Sequence, residues 1–401
     1  MPDDTHGPLI EITDFGTDRY ATLNLIDWWD QAKLRAARVL VIGAGALGNE
    51  VLKNLALLGV GYIFLADFDV VEAANLSRSV LFRAADSGRL KVEAAAERIR
   101  EINPDCKVAV LNGDITQALG LGVYRRVDVV LGCLDNRAAR LAVNRACWKV
   151  GKVWIDGALD VLMGMVRVVT PPDGACYECT FTEQDYMLVN VRYRCPLLRP
   201  EDLIGGRIPT TPTSASIVAA WQVQEAVKLL HGMAVPSGKG IYVNGQTYST
   251  TLITYTPRED CFSHQTYERI IELPEVGHTA TLGDFLNAAE AALGQPVEGV
   301  ALLPDFDVLT TFYCATCDAE EAVYRPYDDV MPDGATCPTC KGQRLPTVAT
   351  RLGKAHQAAL NVPLAQMGIP ALGVVRVAVG AEEAYFELTG DEHALFKAWR
   401  E

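Results

Sequence analysis

RVLVIGAGALGNEVLKNLALLGVGYIFLADFD, residues 38 to 69, decides how the rest of the chain is read. Val39, Leu40, Val41 and Ile42 form an apolar, β-branched-rich run, which predicts a strand buried on both faces. Gly43, Gly45 and Gly48 follow at G-x-G-x-x-G spacing. Leu47, Val51, Leu55 and Leu58 then recur three or four apart, and Gly59 supplies a helix stop. A second strand, Tyr62 to Ala66, ends in Asp67, 19 residues beyond Gly48. Strand, glycine turn, helix, strand and acid are the layout of a nucleotide-binding βαβ unit. The glycines let backbone approach a phosphate, and the helix N-terminus turns free N–H groups and the positive end of its dipole toward it. Asp67 is placed to accept hydrogen bonds from a ribose.

Working outward, residues 1 to 37 read as a polar N-terminal arm with an amphipathic stretch near Leu25 to Leu34. After the βαβ unit comes a loop, Val70 to Asp86, and then a helix from Arg89 to Glu101 with Lys91 in its first turn. Val108 to Leu111 and Val127 to Leu131 are strands. The second of them stops at Gly132-Cys133-Leu134-Asp135-Asn136, where Asp135 or Asn136 caps a helix, Arg137 to Val150, closed by Gly151. Val153 to Ile155 and Met165 to Val169 continue the alternation. The pattern through residue 170 predicts an α/β fold, a Rossmann-like, doubly wound and mostly parallel sheet. From Pro171 to Pro212 the chain is irregular and holds a lone Cys195. A helix from Ser214 to His231 follows, with Ile217, Trp221, Val227 and Leu230 assigned to its core side and His231 capping its last carbonyls. Ile241 to Thr256 reads as a hairpin turning at Asn244-Gly245. The pattern resets near residue 266. This places a domain over 38–265, with a crossover segment at about 171–212, and a C-terminal α+β domain over 266–401. In the latter, Thr281 with Asp284 caps a helix to Leu293, and Gly373 to Val379 and Ala384 to Leu388 are strands.

The bulk numbers narrow the class. A chain of 401 residues, 49% hydrophobic and 21% charged, is an ordinary globular composition with room for two or three domains. A net charge of −14 argues against nucleic acid and anionic membrane as partners, because both require a basic footprint. No apolar run reaches the ~18 residues of a membrane span, and the N-terminus shows no basic-then-apolar export signal. Cytoplasm is the expected location. In that setting 11 cysteines favour zinc or thiol chemistry over disulfides. Cys176, Cys179, Cys261 and His264 make a CxxC…CxxH set, suited to tetrahedral Zn²⁺. Cys314, Cys317, Cys337 and Cys340 make CxxC-x19-CxxC, the spacing of a zinc ribbon (314–340).

A glycine fingerprint alone points first to a nicotinamide or flavin dehydrogenase. Asn75, Arg78, Lys91 and Asp135 point elsewhere, because the topology gathers them at the carboxyl edge of the sheet. Two cations there can neutralise a triphosphate under attack at its α-phosphorus, and a carboxylate can hold Mg²⁺. GAGALG (43–48), DFD (67–69), NLSR (75–78), Lys91, LDNRAAR (134–140), CYEC (176–179) and PTTPTSASIVAAWQVQEAVKLL (209–230) together resemble the adenylating domain shared by ubiquitin-activating enzymes and the ThiF/MoeB sulfur-carrier adenylyltransferases. The resemblance covers about half the chain, in the family's order and spacing.

That resemblance implies ATP and Mg²⁺ as cofactors beside Zn²⁺. Asp67 would hold the ribose, Arg78 and Lys91 the phosphates, and Asp135 the Mg²⁺. Asn75 would help position the nucleotide, with Asp69, Leu134 and Asn136 lining the same site. The substrate implied is the C-terminal carboxylate of a ubiquitin-like β-grasp protein. Cys195, flanked by Arg192, Arg194 and Arg199, stands where the resembling enzymes carry the cysteine that takes the activated carboxyl group, and cationic neighbours favour a thiolate. The resemblance further implies a homodimer, and a C-terminal domain that recruits a conjugating enzyme. Ser79 stands where the family often has Gln, and Thr22 in RYATL where a second arginine beside Arg19 is expected. A ThiF/MoeB-type sulfur-carrier adenylyltransferase is the alternative, followed by a catalytically silent scaffold subunit or an NAD-binding oxidoreductase.

Overall fold

The computed structural model describes residues 18–187, 210–294, 299–331, 333–380 and 382–400. Its larger sheet holds β1 (Arg38–Ile42), β2 (Tyr62–Asp67), β3 (Lys107–Asn112), β4 (Val129–Gly132) and β5 (Trp154–Asp160), parallel in the order β3-β2-β1-β4-β5. Antiparallel β6 (Met163–Val169), β7 (Lys239–Asn244) and β8 (Ser249–Thr254) extend it to eight strands. The sheet is therefore mixed, with a parallel half built by crossovers.

Side chains alternate between its two faces. Val39, Val41, Ile63, Leu65, Val129 and Leu131 point to one face. There they meet α2 (Ala46–Leu58), α3 (Lys91–Ile102) and α6 (Pro212–Leu230), while α1 (Gln31–Ala36) buries Leu34 in the same core. Leu40, Ile42, Phe64, Ala66 and Val130 point to the other face, toward α5 (Arg137–Lys149). Between β3 and β4 the described helix is only α4 (Leu121–Arg125), too short to roof β2. The roof comes from residues 392–400, α8 (Glu392–Leu395) and α9 (Lys397–Arg400). Phe396 meets Phe64 at a ring separation of 5.5 Å, Trp399 meets Tyr62 at 5.6 Å, and Trp399 Nε1 donates to the Ile63 carbonyl at 3.0 Å.

Helix α6 buries Val227 as expected and packs Leu230 partly against the core, but differs from the expectation at Ile217 and Trp221. Ala215, Val218, Ala219, Gln222, Val223 and Ala226 turn inward, while Ile217 (46% exposed) and Trp221 (36% exposed) stand on the outer side. The cause is close approach. A Cβ on Gly164 would lie 2.1 Å from Val218, and one on Gly157 would lie 2.4 Å from Gln222 Oε1. The helix sits so near the strands that small side chains face them. Thr211 caps the helix and Pro212 opens it, two residues earlier than expected. His231 does cap its end: Nδ1 lies 2.8 Å from the Val227 carbonyl, and Nε2 accepts from Asp30 N–H at 3.0 Å. The β7–β8 hairpin turns at Asn244-Gly245 as expected, through a four-residue loop. Asn244 Oδ1 accepts from the amides of Gln246 (2.9 Å) and Thr247 (3.2 Å), and this side-chain turn carries the chain on to Tyr248 at φ 55°.

The rest of the chain builds two further sheets. β9 (Ile270–Glu272), β10 (Val300–Leu303), β14 (Leu352–Gly353), β15 (Val374–Val379) and β16 (Glu382–Glu387) form one, in the order β14-β10-β15-β16-β9. It packs on α7 (Leu282–Leu293), whose N-terminus carries the expected reciprocal box between Thr281 and Asp284. β11 (Val308–Cys314), β12 (Ala319–Pro326) and β13 (Leu345–Ala349) form the other. Arg125 of α4 and Arg126, which caps it, both pair with Glu387 of β16, and Lys149 of α5 pairs with Asp305 at 2.8 Å, so charged contacts join the two halves.

Candidate functional site

Ile42 pairs with both Ala66 and Gly132, so Gly43 and Cys133 leave the sheet beside Asp67, the last residue of β2, along one edge. Packing demands two of the three glycines. A Cβ on Gly43 (φ +98°) would fall 2.4 Å from the Cys133 carbonyl oxygen, and one on Gly48 would fall 1.9 Å from the Gly43 carbonyl oxygen. At Gly45 it would meet nothing within 4 Å. Gly45 is the N-cap of α2, and no side chain caps it. The helix N-terminus therefore opens onto free space, which is what close approach of a phosphate requires.

Asp67 is tied into this turn. Its Oδ2 accepts from Ala44 N–H at 2.6 Å and its Oδ1 from Asp69 N–H at 2.8 Å. Burial nevertheless pushes its pKa above 3.8, against the pull of the Ala44 amide and Lys91. Asn49, fully buried on α2, donates from Nδ2 to the carbonyls of Ala44 (2.7 Å) and Gly45 (3.0 Å). Its Oδ1 accepts from Leu81 N–H at 2.8 Å, which ties the turn to the following loop. That loop holds Asn75, buried with Oδ1 accepting from Glu72 N–H at 2.9 Å, and Arg78, whose Nη1 donates to the Ala74 carbonyl at 2.7 Å. Lys91, the first residue of α3, is buried with Nζ 2.6 Å from Asp69 Oδ2.

At the end of β4, Asn136 caps α5 by accepting from Ala139 N–H at 2.8 Å. The neighbouring Asp135 is thus left exposed, with Oδ1 3.3 Å from Asn136 Nδ2. Leu134, half-buried, offers its carbonyl to Arg140 Nη2 at 2.6 Å. Gly43, Gly45, Gly48, Asp67, Asp69 and Lys91 are thus contiguous, and Leu134–Asn136 close the adjacent strand at the same edge. Cys195 and the flanking Arg192, Arg194 and Arg199 lie outside the described residues. Asn49, Arg140 and Asp156 were not singled out from sequence. A polar residue directly after the last fingerprint glycine, and an acid inside an apolar strand, were the signals for the first and last.

Both cysteine sets converge. Cys176 Sγ lies 3.6 Å from Cys179 Sγ and 3.5 Å from Cys261 Sγ, and Cys179 Sγ lies 3.3 Å from His264 Nε2. In the other set Cys314 and Cys340 are 3.5 Å apart, and Cys317 and Cys337 3.9 Å. Within each set all four ligand atoms lie within 4.8 Å of one another. Two soft donor sets of this size fit Zn²⁺, whose bonds to sulfur are about 2.3 Å. Backbone amides of Cys340 and Thr339 pull the Cys337 thiol down to about 6. The first set is bound to α5: Glu178, fully buried, accepts from Arg145 Nη2 (2.6 Å) and Nε (3.2 Å) and from the Ser263 hydroxyl. Asn144 donates to Ser263 Oγ at 2.7 Å and accepts from Tyr177 N–H at 2.9 Å, and His264 stacks on Trp148 at 4.0 Å.

A family model described as "ThiF family" matches residues 17–264. Ubiquitin-like modifier-activating enzyme 5 of Dictyostelium discoideum is 32% identical over 211 residues, 49% of this chain and 53% of that protein. The sulfur carrier protein ThiS adenylyltransferase of Escherichia coli K12 is 32% identical over 210 residues, covering 52% of this chain and 78% of the relative. The molybdopterin-synthase adenylyltransferase of the same organism is 31% identical over 235 residues, 57% and 88% of the two chains. The chain thus spans about half the length of the modifier-activating enzymes it matches. Among solved structures, E. coli MccB with ATP superposes with a TM-score of 0.51 at 22% identity, over 62% of this chain and 74% of that one, a likeness of fold. Among the described residues no helix is long and apolar enough to cross a membrane.

Proposed function

This chain belongs to the ThiF family, and from that membership we propose that it uses ATP to adenylate the C-terminal carboxylate of a small ubiquitin-like or sulfur-carrier protein. The observation that carries the reading is the uncapped helix start at Gly45 beside Asp67 and the Asp69–Lys91 pair. ATP enters as substrate. Its phosphates approach the open turn, Asp67 accepts from the ribose hydroxyls, and Asn75 holds the loop that carries Arg78. Lys91 and Arg78 offset charge that builds as a carboxylate oxygen bonds to the α-phosphorus and the bond to the departing pyrophosphate breaks. Asp135, an exposed hard-oxygen donor, fits Mg²⁺, which when bound would supply further charge neutralisation. Leu134 and Asn136 flank it. Each four-ligand set would hold one structural Zn²⁺.

In the fuller form of the proposal the activated carboxyl passes to a ubiquitin-like route. The Cys195 thiolate attacks the acyl carbon, AMP leaves, and a thioester remains, to be handed to a conjugating enzyme recruited by residues 266–401. The adenylating unit is then 38–265, acting in the cytoplasm as a homodimer. A sulfur-carrier route is favoured by one specific observation, namely that the two bacterial adenylyltransferases are covered over 78% and 88% of their length. On that route Cys195 exchanges sulfur: a sulfur nucleophile attacks the acyl carbon, AMP leaves, and no protein is passed on.

One experiment separates the routes. The chain is incubated with ATP, Mg²⁺ and candidate β-grasp proteins, exchange of pyrophosphate into ATP is followed, and products are run on non-reducing gels. A reductant-sensitive adduct absent in Cys195→Ala supports the thioester. Exchange without such an adduct supports sulfur transfer, and no exchange with any candidate refutes adenylation.

A further inference from the structure

One buried charge cluster has no part in the chemistry above. Asp156, at 1% exposure, sits on β5 with two arginines. Arg140 Nε donates to its Oδ1 at 3.1 Å, and Arg167 Nη1 lies 3.5 Å from its Oδ2. Asp156 and Arg167 are direct cross-strand partners on β5 and β6. The Arg167 guanidinium lies over the rings of both Tyr177 and Tyr255, 5.0 Å from each centre, so two aromatic faces help hold it. A buried carboxylate facing two guanidinium groups costs desolvation of three ions, and well-packed apolar residues would give comparable or greater stability. A structural reason alone does not account for it.

The other end of the cluster does. Arg140 Nη2, oriented by Asp156, donates to the carbonyls of Leu134 (2.6 Å) and Gly157 (3.1 Å). The Leu134 carbonyl belongs to the peptide unit that leads into Asp135, and Asn136 on the other side is fixed as the α5 cap. Asp135 therefore hangs between two anchored points, and one of them is set by a guanidinium that Asp156 and Arg167 aim. We infer that Asp156 and Arg167 are positioning residues that set, through Arg140, where the Asp135 carboxylate stands for a divalent cation. The inference rests on the reading of Asp135 as the Mg²⁺ ligand. Outer partners of a metal ligand commonly account for about 10- to 100-fold in metal affinity.

Binding, not turnover, tests it. The full chain is titrated calorimetrically with the α,β-methylene analogue of ATP, in EDTA and across a Mg²⁺ series, beside a thermal melt. In Asp156→Asn and Arg167→Met the Mg²⁺ needed for half of the affinity gain rises about tenfold. Affinity in EDTA does not weaken, and Arg167→Lys recovers part of the loss. Asp135→Asn loses the Mg²⁺ gain altogether. A wild-type Mg²⁺ curve in folded Asp156→Asn or Arg167→Met, with the gain lost in Asp135→Asn, overturns the inference and leaves Asp135 as the ligand. A full Mg²⁺ gain in Asp135→Asn overturns the Asp135 reading and the inference with it. Should Asp156→Asn fail to fold, the two Arg167 variants decide.

Discussion

Asp67 and Asn49 grip one residue from opposite sides: the carboxylate accepts the Ala44 N–H at 2.6 Å, and the amide donates to the Ala44 carbonyl at 2.7 Å. The glycine turn is thus held by side chains from β2 and α2, which fix its open Gly45 face from within the protein. A turn held this way keeps its ordering cost out of the binding step.

Asn49→Ala removes donors from two carbonyls and an acceptor from Leu81 N–H, all on buried or half-buried backbone. The expected loss is about 2 kcal/mol in urea unfolding, since unmet buried groups cost roughly 1–3 kcal/mol each before water re-enters. Affinity for the methylene analogue of ATP should fall with it, about tenfold. Unchanged affinity in a destabilised protein would show that the clamp serves folding only.

Acid should weaken nucleotide binding earlier than an exposed aspartate would. Burial lifts Asp67 above its ordinary 3.8, so the native state holds that proton to higher pH than the unfolded chain does. Stability from this group accordingly falls as pH climbs from 3.8 through the raised value, while the ionised acceptor for ribose exists only above it. Titrations with the analogue from about pH 7 down to about pH 4 should show affinity dropping on the acid side. Asp67→Asn should bind weakly at every pH.

Metal removal should be felt at the nucleotide edge from one zinc set and not the other. Asn144, Arg145 and Trp148 bind the first knuckle to α5, and the same helix starts at the Asn136 cap beside Asp135. Elemental analysis should find about two Zn²⁺ per chain, one per four-ligand set. Cys261→Ser should halve that content, lower the melting temperature and weaken Mg²⁺-dependent analogue binding. Cys337→Ser should also halve the zinc but leave that binding within about twofold, because the four ligands of that set come from the end of β11 and from the loops before β12 and β13, none of them on α5.

Glu387 offers a contrast between a buried and a rim charge. It is fully buried and faces both Arg125 and Arg126, whereas Glu392, which also pairs with Arg126, is 38% exposed. Glu387→Gln removes the fully buried carboxylate that Arg125 and Arg126 share, leaving Arg125 with Glu272 and Arg126 with Glu392 on the wetter side, and should cost about 3 kcal/mol in chemical denaturation. Glu392→Gln should cost under about 1 kcal/mol. Equal losses would mean that the junction is wetter than the burial of Glu387 implies.

Local signals were legible in the sequence where one residue type has one physical use. The βαβ unit, the Thr281–Asp284 box and the capping role of His231 all depend on neighbours within a few positions, and each could be read from spacing. The carboxyl edge itself was legible too, because strand ends and glycines mark it. What holds that edge was not. Asn49 matters through Leu81, 32 positions away, and Asp156 through Arg140, 16 away. Such pairings are set by register. Ile217 and Trp221 of α6 fall outside, while Val227 falls inside as expected, for a related reason: apolar residues occupy both stripes of the helix, and only the glycines beneath it on β5 and β6 decide which stripe fits.

The roof over β2 has its own consequence for how the molecule is made. Trp399 closes on Ile63 across 336 positions of chain. During synthesis the nucleotide-binding half emerges long before the aromatic side chains that seal it, and Phe64 must wait in water or in the keeping of a chaperone. Loss or blockage of residues 392–400 would therefore strike β2, far from the lesion in sequence and directly beneath it in space.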